Sequence, residues 1–295
     1  MRRPRAQRTL WNVVRRGNAC LQAGLPMRTT LVIVLLFLNG AHARAWEPSP
    51  ADEALAARLR SATEAIDASP RDADAYARRA AIYAQAGRPA EAIADYDRVI
   101  EIDPRRAAAY DARGSERFKI GQIDASIDDF DRFIELRPDQ EPWHWKRGIS
   151  YYYAGQFDQG KRQFEGYQTV DDNDVENAVW RYLCMARASG VEQARGDMLK
   201  IKRDPRVPMM EVYALYSGDA EPDDVLTAAR AGSPSPAELN ARMFYAHLYL
   251  GLYYESLGET AKAREHISQA REHKIGHYMW NVADVHAKRL AAEER

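Results

Sequence analysis

Three glycines, Gly87, Gly121 and Gly155, stand 34 residues apart, and this interval governs the chain from residue 71 to residue 174. Pro70, Pro104 and Pro138 keep the same spacing, as do the small residues Ala80, Gly114 and Gly148. So do the large positions: Tyr76, Tyr110 and His144; Tyr96, Phe130 and Phe164; Val99, Phe133 and Tyr167. A chain of 295 residues could hold one or two ordinary domains, but an internal period of this length implies a stack of like units. Each unit buries the apolar face that its neighbour leaves open. The recurring glycine predicts a turn with positive φ between two helices, and the recurring proline a stop after the second helix.

A small residue early in the unit, then a turn glycine, an aromatic and a closing proline make this chain resemble the tetratricopeptide repeat family. The resemblance implies an all-α superhelical solenoid of antiparallel helix pairs. Repeats are expected at 73–106, 107–140 and 141–174. Repeat three carries Gly160 and Asp172 where alanine and proline are usual, which predicts a looser exit. Before them, Leu55, Leu59, Ala62, Ala65 and Ile66 share one helical face of residues 52–69, as in the second helix of a half repeat that caps the array. Residues 44–70 are read as leader plus cap helix.

After residue 174 the pattern degrades. Gly190 follows Gly155 by one residue more than the period, so 191–201 reads as a shortened second helix. Short helical segments follow at 209–216 and 222–231. Ser235-Pro236 then opens a last good repeat within 237–276, whose end has Lys274-Ile275-Gly276-His277 in place of a proline. The final segment, 277–295, becomes increasingly charged and is expected to be a solvating cap.

The amino-terminal 43 residues differ in kind, with seven arginines and no acid. Within them, Met27-Arg28, the apolar run Leu31–Leu38 and Ala41-His42-Ala43 have the form of a secretory signal peptide starting at Met27. The apolar run is shorter than the roughly 20 residues a span requires. No cysteine follows it, so an exported protein with a mature start near Arg44 and without a stable membrane anchor is expected, placing it in the periplasm. The formal charge is −1, and removing the seven arginines leaves −8 on the remainder, which argues against a nucleic-acid partner.

Chemistry-bearing patterns are sparse. Cys20 and Cys184 are too few for a disulfide framework, and Cys184 lies in an apolar helix, the setting of an inert thiol. Asp124, Asp128, Asp129 and Asp131 read as a solvated helix face. His266 and His273 share a face without an identified third ligand, so no metal, cofactor or catalytic residue is assigned. The family resemblance implies a concave groove lined by the first helix of each pair. It places Arg78, Phe118, Lys119, Trp145, Lys146, Tyr152, Tyr153 and Tyr249 there as partner-binding residues. Aromatics concentrate around repeat three and suit an interface hot spot, although neighbours such as Trp143, Trp145 and Tyr151 to Tyr153 point in different directions and cannot all face a ligand. A carboxylate clamp is disfavoured, because Ala77, Ala81 and Ala112 occupy its positions and only Lys146 remains.

From repeat two onward the chain also resembles the bacterial periplasmic tetratricopeptide adaptor lipoproteins that bring cell-wall endopeptidases to a tail-specific protease. Arg147-Gly148-Ile149 with Tyr152-Tyr153, Trp180 to Leu183, Glu211-Val212-Tyr213 and Tyr249 to Tyr254 carry this likeness. It implies an export-associated, non-catalytic scaffold that binds protein or peptide segments, with a homodimer through its terminal helices. The sequence lacks that group's lipid-bearing cysteine. A peptidoglycan or small-ligand module is the alternative, since aromatics also suit sugar rings, and an enzyme would need a constellation the sequence does not display.

Overall fold

A computed structural model describes residues 49–293; the signal-peptide features and Cys20 lie outside the described residues. Among the described residues the regular structure is helical: α1 (Pro50–Ala68), α2 (Ala73–Gln85), α3 (Pro89–Ile102), α4 (Ala107–Lys119), α5 (Ile123–Leu136), α6 (Trp145–Tyr153), α7 (Phe157–Tyr167), α8 (Val175–Ser189), α9 (Val191–Gly196), α10 (Met209–Ser217), α11 (Pro222–Arg230), α12 (Pro236–Ser256), α13 (Thr260–Glu272) and α14 (Tyr278–Ala292). Consecutive helices pack as antiparallel pairs, α2 with α3, α4 with α5, α6 with α7 and α12 with α13.

The repeat residues act as their chemistry requires. Gly87, Gly121 and Gly155 leave each first helix at φ of 69°, 79° and 73°. The small residue that follows the period sets how closely the second helix approaches: a Cβ at Gly114 would lie 2.8 Å from Phe130, and one at Gly148 2.6 Å from Phe164. Gly160 serves the same purpose at a different contact, since a Cβ there would meet the Cys184 sulfur at 2.7 Å. Repeat three leaves α7 through the non-helical residues 168–174. Ser49 and Asp52 form a capping box on α1, and Ser235 and Glu238 one on α12, with Pro50 and Pro236 in the first turn.

An arginine ladder runs through the array at the same period. Arg79, Arg113, Arg147 and Arg181 each reach 16 residues forward to the second helix of their own pair or the residue capping it, and 16 back to the second helix of the preceding pair. Arg79 bridges Asp95 (2.7 Å) and Thr63 (3.1 Å); Arg113 bridges Asp129 (2.6 Å) and Asp97 (2.6 Å). Arg147 holds Gln163 (2.8 Å) and Asp131 (2.9 Å), and Arg181 holds Asp197 (2.8 Å) and Glu165 (2.9 Å). Thr63 occupies the second-helix position, so α1 completes the half repeat expected there. The register runs unbroken to Asp197, and only the turn glycine, Gly190, falls a residue late.

Two expectations are corrected. The segment 191–201 is helical only to Gly196, where the backbone of Asp197 turns to meet the Arg181 guanidinium. The chain then runs without helix to Pro208, anchored by buried Ile201 and Asp204. The final segment is no solvating cap on its inner side: Met279, Val282, Ala283, Val285, His286 and Leu290 of α14 are buried. These residues join a core extending from Phe118 to Leu290, while a smaller core under α1 to α4 holds Ile66, Tyr76, Ala80 and Val99. No helix among the described residues is long and apolar enough to cross a membrane.

Candidate partner-binding site

Helix α14 lies against the face where first helices were expected to present a groove. Tyr278 packs on Phe118 at 5.5 Å and edge-on to Trp145 at 5.5 Å, and the Tyr153 hydroxyl meets His286 Nδ1 at 3.0 Å. Glu255 of α12 pins the arrangement. Its carboxylate accepts from the Tyr152 hydroxyl at 3.2 Å and pairs with Arg289, and His286 Nε2 stands 3.4 Å from it. Burial depresses His286 well below its usual range, so α14 docks with a neutral imidazole.

This reassigns several predicted contacts. Phe118, Tyr152 and Tyr249 are 0, 2 and 0% exposed, so they are core and not groove residues. Tyr153 is half-buried beneath α14, with burial raising its hydroxyl well above the usual range. Lys146 is spent within the fold: its ammonium binds Asp111 at 2.6 and 2.9 Å and Ser115 at 3.1 Å. Burial pushes Asp111 up, but the hydrogen bond from His144 and the Lys146 charge outweigh it and hold the carboxyl at about 2. Arg78 is exposed and pairs with Asp72 at 3.5 Å, beside a shallow recess between α1 and α2 that includes none of the other predicted residues.

Lys119 and Trp145 remain on accessible walls. Lys119, paired with Glu116 at 2.5 Å, lines a cleft of about 920 Å³ between the α2–α3 turn, the end of α4 and the α13–α14 connection. Ile120 is 40% exposed on its floor, facing a rim that includes Lys274, Trp280, Asn281, Asp284 and Lys288. Trp145 lines a smaller cavity of about 130 Å³ between α6, α8 and the start of α14, where its ring stacks on His277 at 6.1 Å. His277 belongs to both walls. The signal in the sequence was the missing proline at Lys274 to His277: without that stop, the chain turns back across α4 and supplies one side of both spaces.

Asp174, Glu176, Asn177, Trp180 and Arg206 complete the smaller cavity. Asp174 caps α8, accepting from Glu176 N–H at 3.0 Å, and Arg206 reaches Asp174 at 2.5 Å, Glu176 at 2.6 Å and Asp204 at 2.5 Å. Burial drives Glu176 up to about 7 against the pull of Arg206, and the Tyr249 hydroxyl donates to it at 2.5 Å.

The remaining candidates are structural in their contacts. Cys184 is buried, which pushes its thiol up. Asp129 and Asp131 belong to the arginine ladder. His266 and His273 gain a neighbour in His247, whose Nδ1 is 2.9 Å from that of His266 and whose ring stacks on His273 at 6.0 Å. Burial, reinforced by the two imidazoles, lowers His247 to about 4. Among the described residues no group of three or more potential ligands is arranged to hold a metal ion.

These features define an all-α tetratricopeptide superhelix, and residues 73–106 match the family model described as tetratricopeptide repeat. Among solved structures, the chain is similar to a tetratricopeptide repeat protein from Parabacteroides merdae, with a TM-score of 0.51 and 13% identity over 82% of this chain and 94% of that one. It is also similar to YrrB, described as a TPR protein with an unusual peptide-binding site (TM-score 0.44, 17% identity, 78% and 99% covered), and to MamA (0.45, 20%, 50% and 90%). No curated protein matches the sequence.

Proposed function

We propose that the protein is a non-catalytic interaction scaffold that takes a polypeptide segment into the cleft between α4 and the α13–α14 connection. The observation that carries this reading is the cleft itself: about 920 Å³, long enough for several residues, with exposed Ile120 on its floor and charges of both signs on its rim. Such a mixture suits a segment with an apolar anchor and polar flanks. The reading moves the contact surface from the aromatics of repeat three, which are mostly core, to Lys119, Ile120 and the rim of α14. The peptidoglycan reading rested on those aromatics and loses that support.

Export to the periplasm, and an adaptor role in the cell envelope like that of the resembling lipoproteins, belong to the same proposal. So does a homodimer; the supports are the signal-like segment 27–43 and the matched motifs of the sequence. Photo-crosslinking from position 119 in the native host, followed by mass spectrometry, tests the cleft. A discrete protein adduct is expected, reduced at least about tenfold by Ile120→Asp with Lys288→Glu, both exposed changes that leave helicity intact. An adduct pattern unchanged in the double variant would overturn the assignment.

A further inference from the structure

One helix of the repeating pattern is missing at the amino-terminal end of the described array. Arg79 reaches back to Thr63 as Arg113 reaches back to Asp97, so α1 stands as a second helix. The later second helices α3, α5 and α7 each lie against a first helix that precedes them in the chain. Among the described residues α1 has no such neighbour. Arg58, Ser61, Ala62 and Ala65 stand one period before Ala92, Asp95, Tyr96 and Val99, all buried in α3, where a first helix lies on either side. On α1 the same positions are more open: Arg58 and Ser61 are exposed and Ala65 is half-buried. With Arg78 and Ile82 of α2 they line a recess of about 450 Å³. The recess is the slot of an absent first helix.

Size and charge define the helix that fits. In the pairs that follow, an aromatic of the second helix, Phe130 or Phe164, packs on a glycine of the first, Gly114 or Gly148. On α1 that aromatic position is held by Ala62. The contact is therefore inverted, and the incoming helix must supply the bulk. Lys146 stands two periods after Arg78, and its ammonium binds Asp111 on the preceding first helix at 2.6 Å. Arg78 has only Asp72, at 3.5 Å, and its side chain is 59% exposed. Arg58 donates to the neutral Gln85 side chain at 3.0 Å, and no carboxylate lines the recess. Two guanidiniums beside an apolar floor suit carboxylates on the occupant. The same charges disfavour two sources within the protein. Residues 1–48 carry eight arginines and a single acid, Glu47. A symmetric contact between two copies through α1 would set Arg58 and Arg78 of each against those of the other.

We infer that the recess between α1 and α2 receives an amphipathic helix of another protein, with large apolar side chains against Ala62, Ala65 and Ile82 and carboxylates against Arg58 and Arg78. That helix completes the terminal pair, lying where a first helix lies in the three pairs that follow. The surface is separate from the cleft beside α14, and its occupancy does not depend on the scaffold reading of that cleft.

Fluorescence anisotropy of the full chain with a labelled helical peptide tests the slot. The probe is alanine-based and about 18 residues long, enough to hold its helix in water, with a leucine stripe on one face and glutamates on both flanks. Saturable binding is expected, at least about tenfold tighter than that of the same peptide with lysine for glutamate. Ser61→Trp, an exposed change that fills the recess, abolishes binding. Arg58→Glu with Arg78→Glu reverses the preference toward the lysine peptide. Circular dichroism confirms the fold of each variant. Amide exchange locates the peptide: slowing is expected in α1 and α2 and not in the α13–α14 connection. No saturable binding of the glutamate peptide, equal binding of the lysine form, or indifference to Ser61→Trp overturns the proposal. Protection confined to the α13–α14 connection also overturns it, since the peptide would then occupy the cleft of the scaffold reading. Sedimentation of the chain alone gives the last check: a dimer that Ser61→Trp dissociates would make a second copy the occupant and overturn the assignment to another protein.

Discussion

Glu176 is the residue at which burial and charge pull hardest against each other. Its carboxyl sits against Arg206, Asp174 and the Tyr249 hydroxyl, and burial raises its folded-state value from the ordinary 4.5 to about 7. The native chain therefore holds a proton between about pH 4.5 and 7 that the unfolded chain releases. The stability this confers is full below 4.5 and is lost as pH rises through 7. Melting temperatures of the parent protein should thus fall, relative to Glu176→Gln, as pH rises from 5 to 8. Parallel curves for the two would show that Glu176 titrates normally. This residue's setting was not legible from its neighbours in the chain, because Asp174 and Glu176 look like ordinary acidic capping at a helix start, and their partner Arg206 comes from an irregular segment 30 residues on from Glu176. Trp145 and Lys119 were legible as accessible residues, since repeat position sets which way a first helix points. Phe118, Tyr152 and Tyr249 were not, because the same positions face inward once another helix covers them.

At the scale of elements, the arginine ladder does for the polar side of each pair what the glycine and aromatic contacts do for the apolar side. Each guanidinium clamps one pair to the next. Asp95 is nearly buried and Arg79 is its ion-pair partner, so removing that cation strands a carboxylate in the fold. Arg79→Met is expected to destabilise by about 3 kcal/mol, and adding Asp95→Leu to restore a large part of it, as measured by urea unfolding. An unchanged midpoint in the single variant would mean that the pair is solvated and idle. The helices themselves were readable from period and punctuation: turn glycines, capping boxes and the prolines of α1 and α12 all act locally. The ladder has the same 34-residue period, but a charged residue on a helix looks like solvated surface until its partners 16 residues away on other helices are known. Residues 197–208 were beyond reach, since their path depends on long-range capture by Arg181 and Val175.

For the whole described unit, α14 decides what is inside and what is outside. Deleting residues 277–295 should uncover Phe118 and Trp145, promote binding of a hydrophobic dye and lower the melting temperature by on the order of 10 °C. A truncated chain that melts like the parent and binds no dye would mean that α14 is peripheral. Its placement also bears on how such a chain can change in length. Tyr153 meets His286 across 133 residues, a separation that contacts between neighbouring repeats never reach. An ordinary stack can gain or lose a unit in its middle, because each unit answers only to its neighbours. Here an added unit between α6 and α12 would carry α14 away from α4, so copy number is fixed by closure, and divergence must proceed by substitution within units instead of duplication.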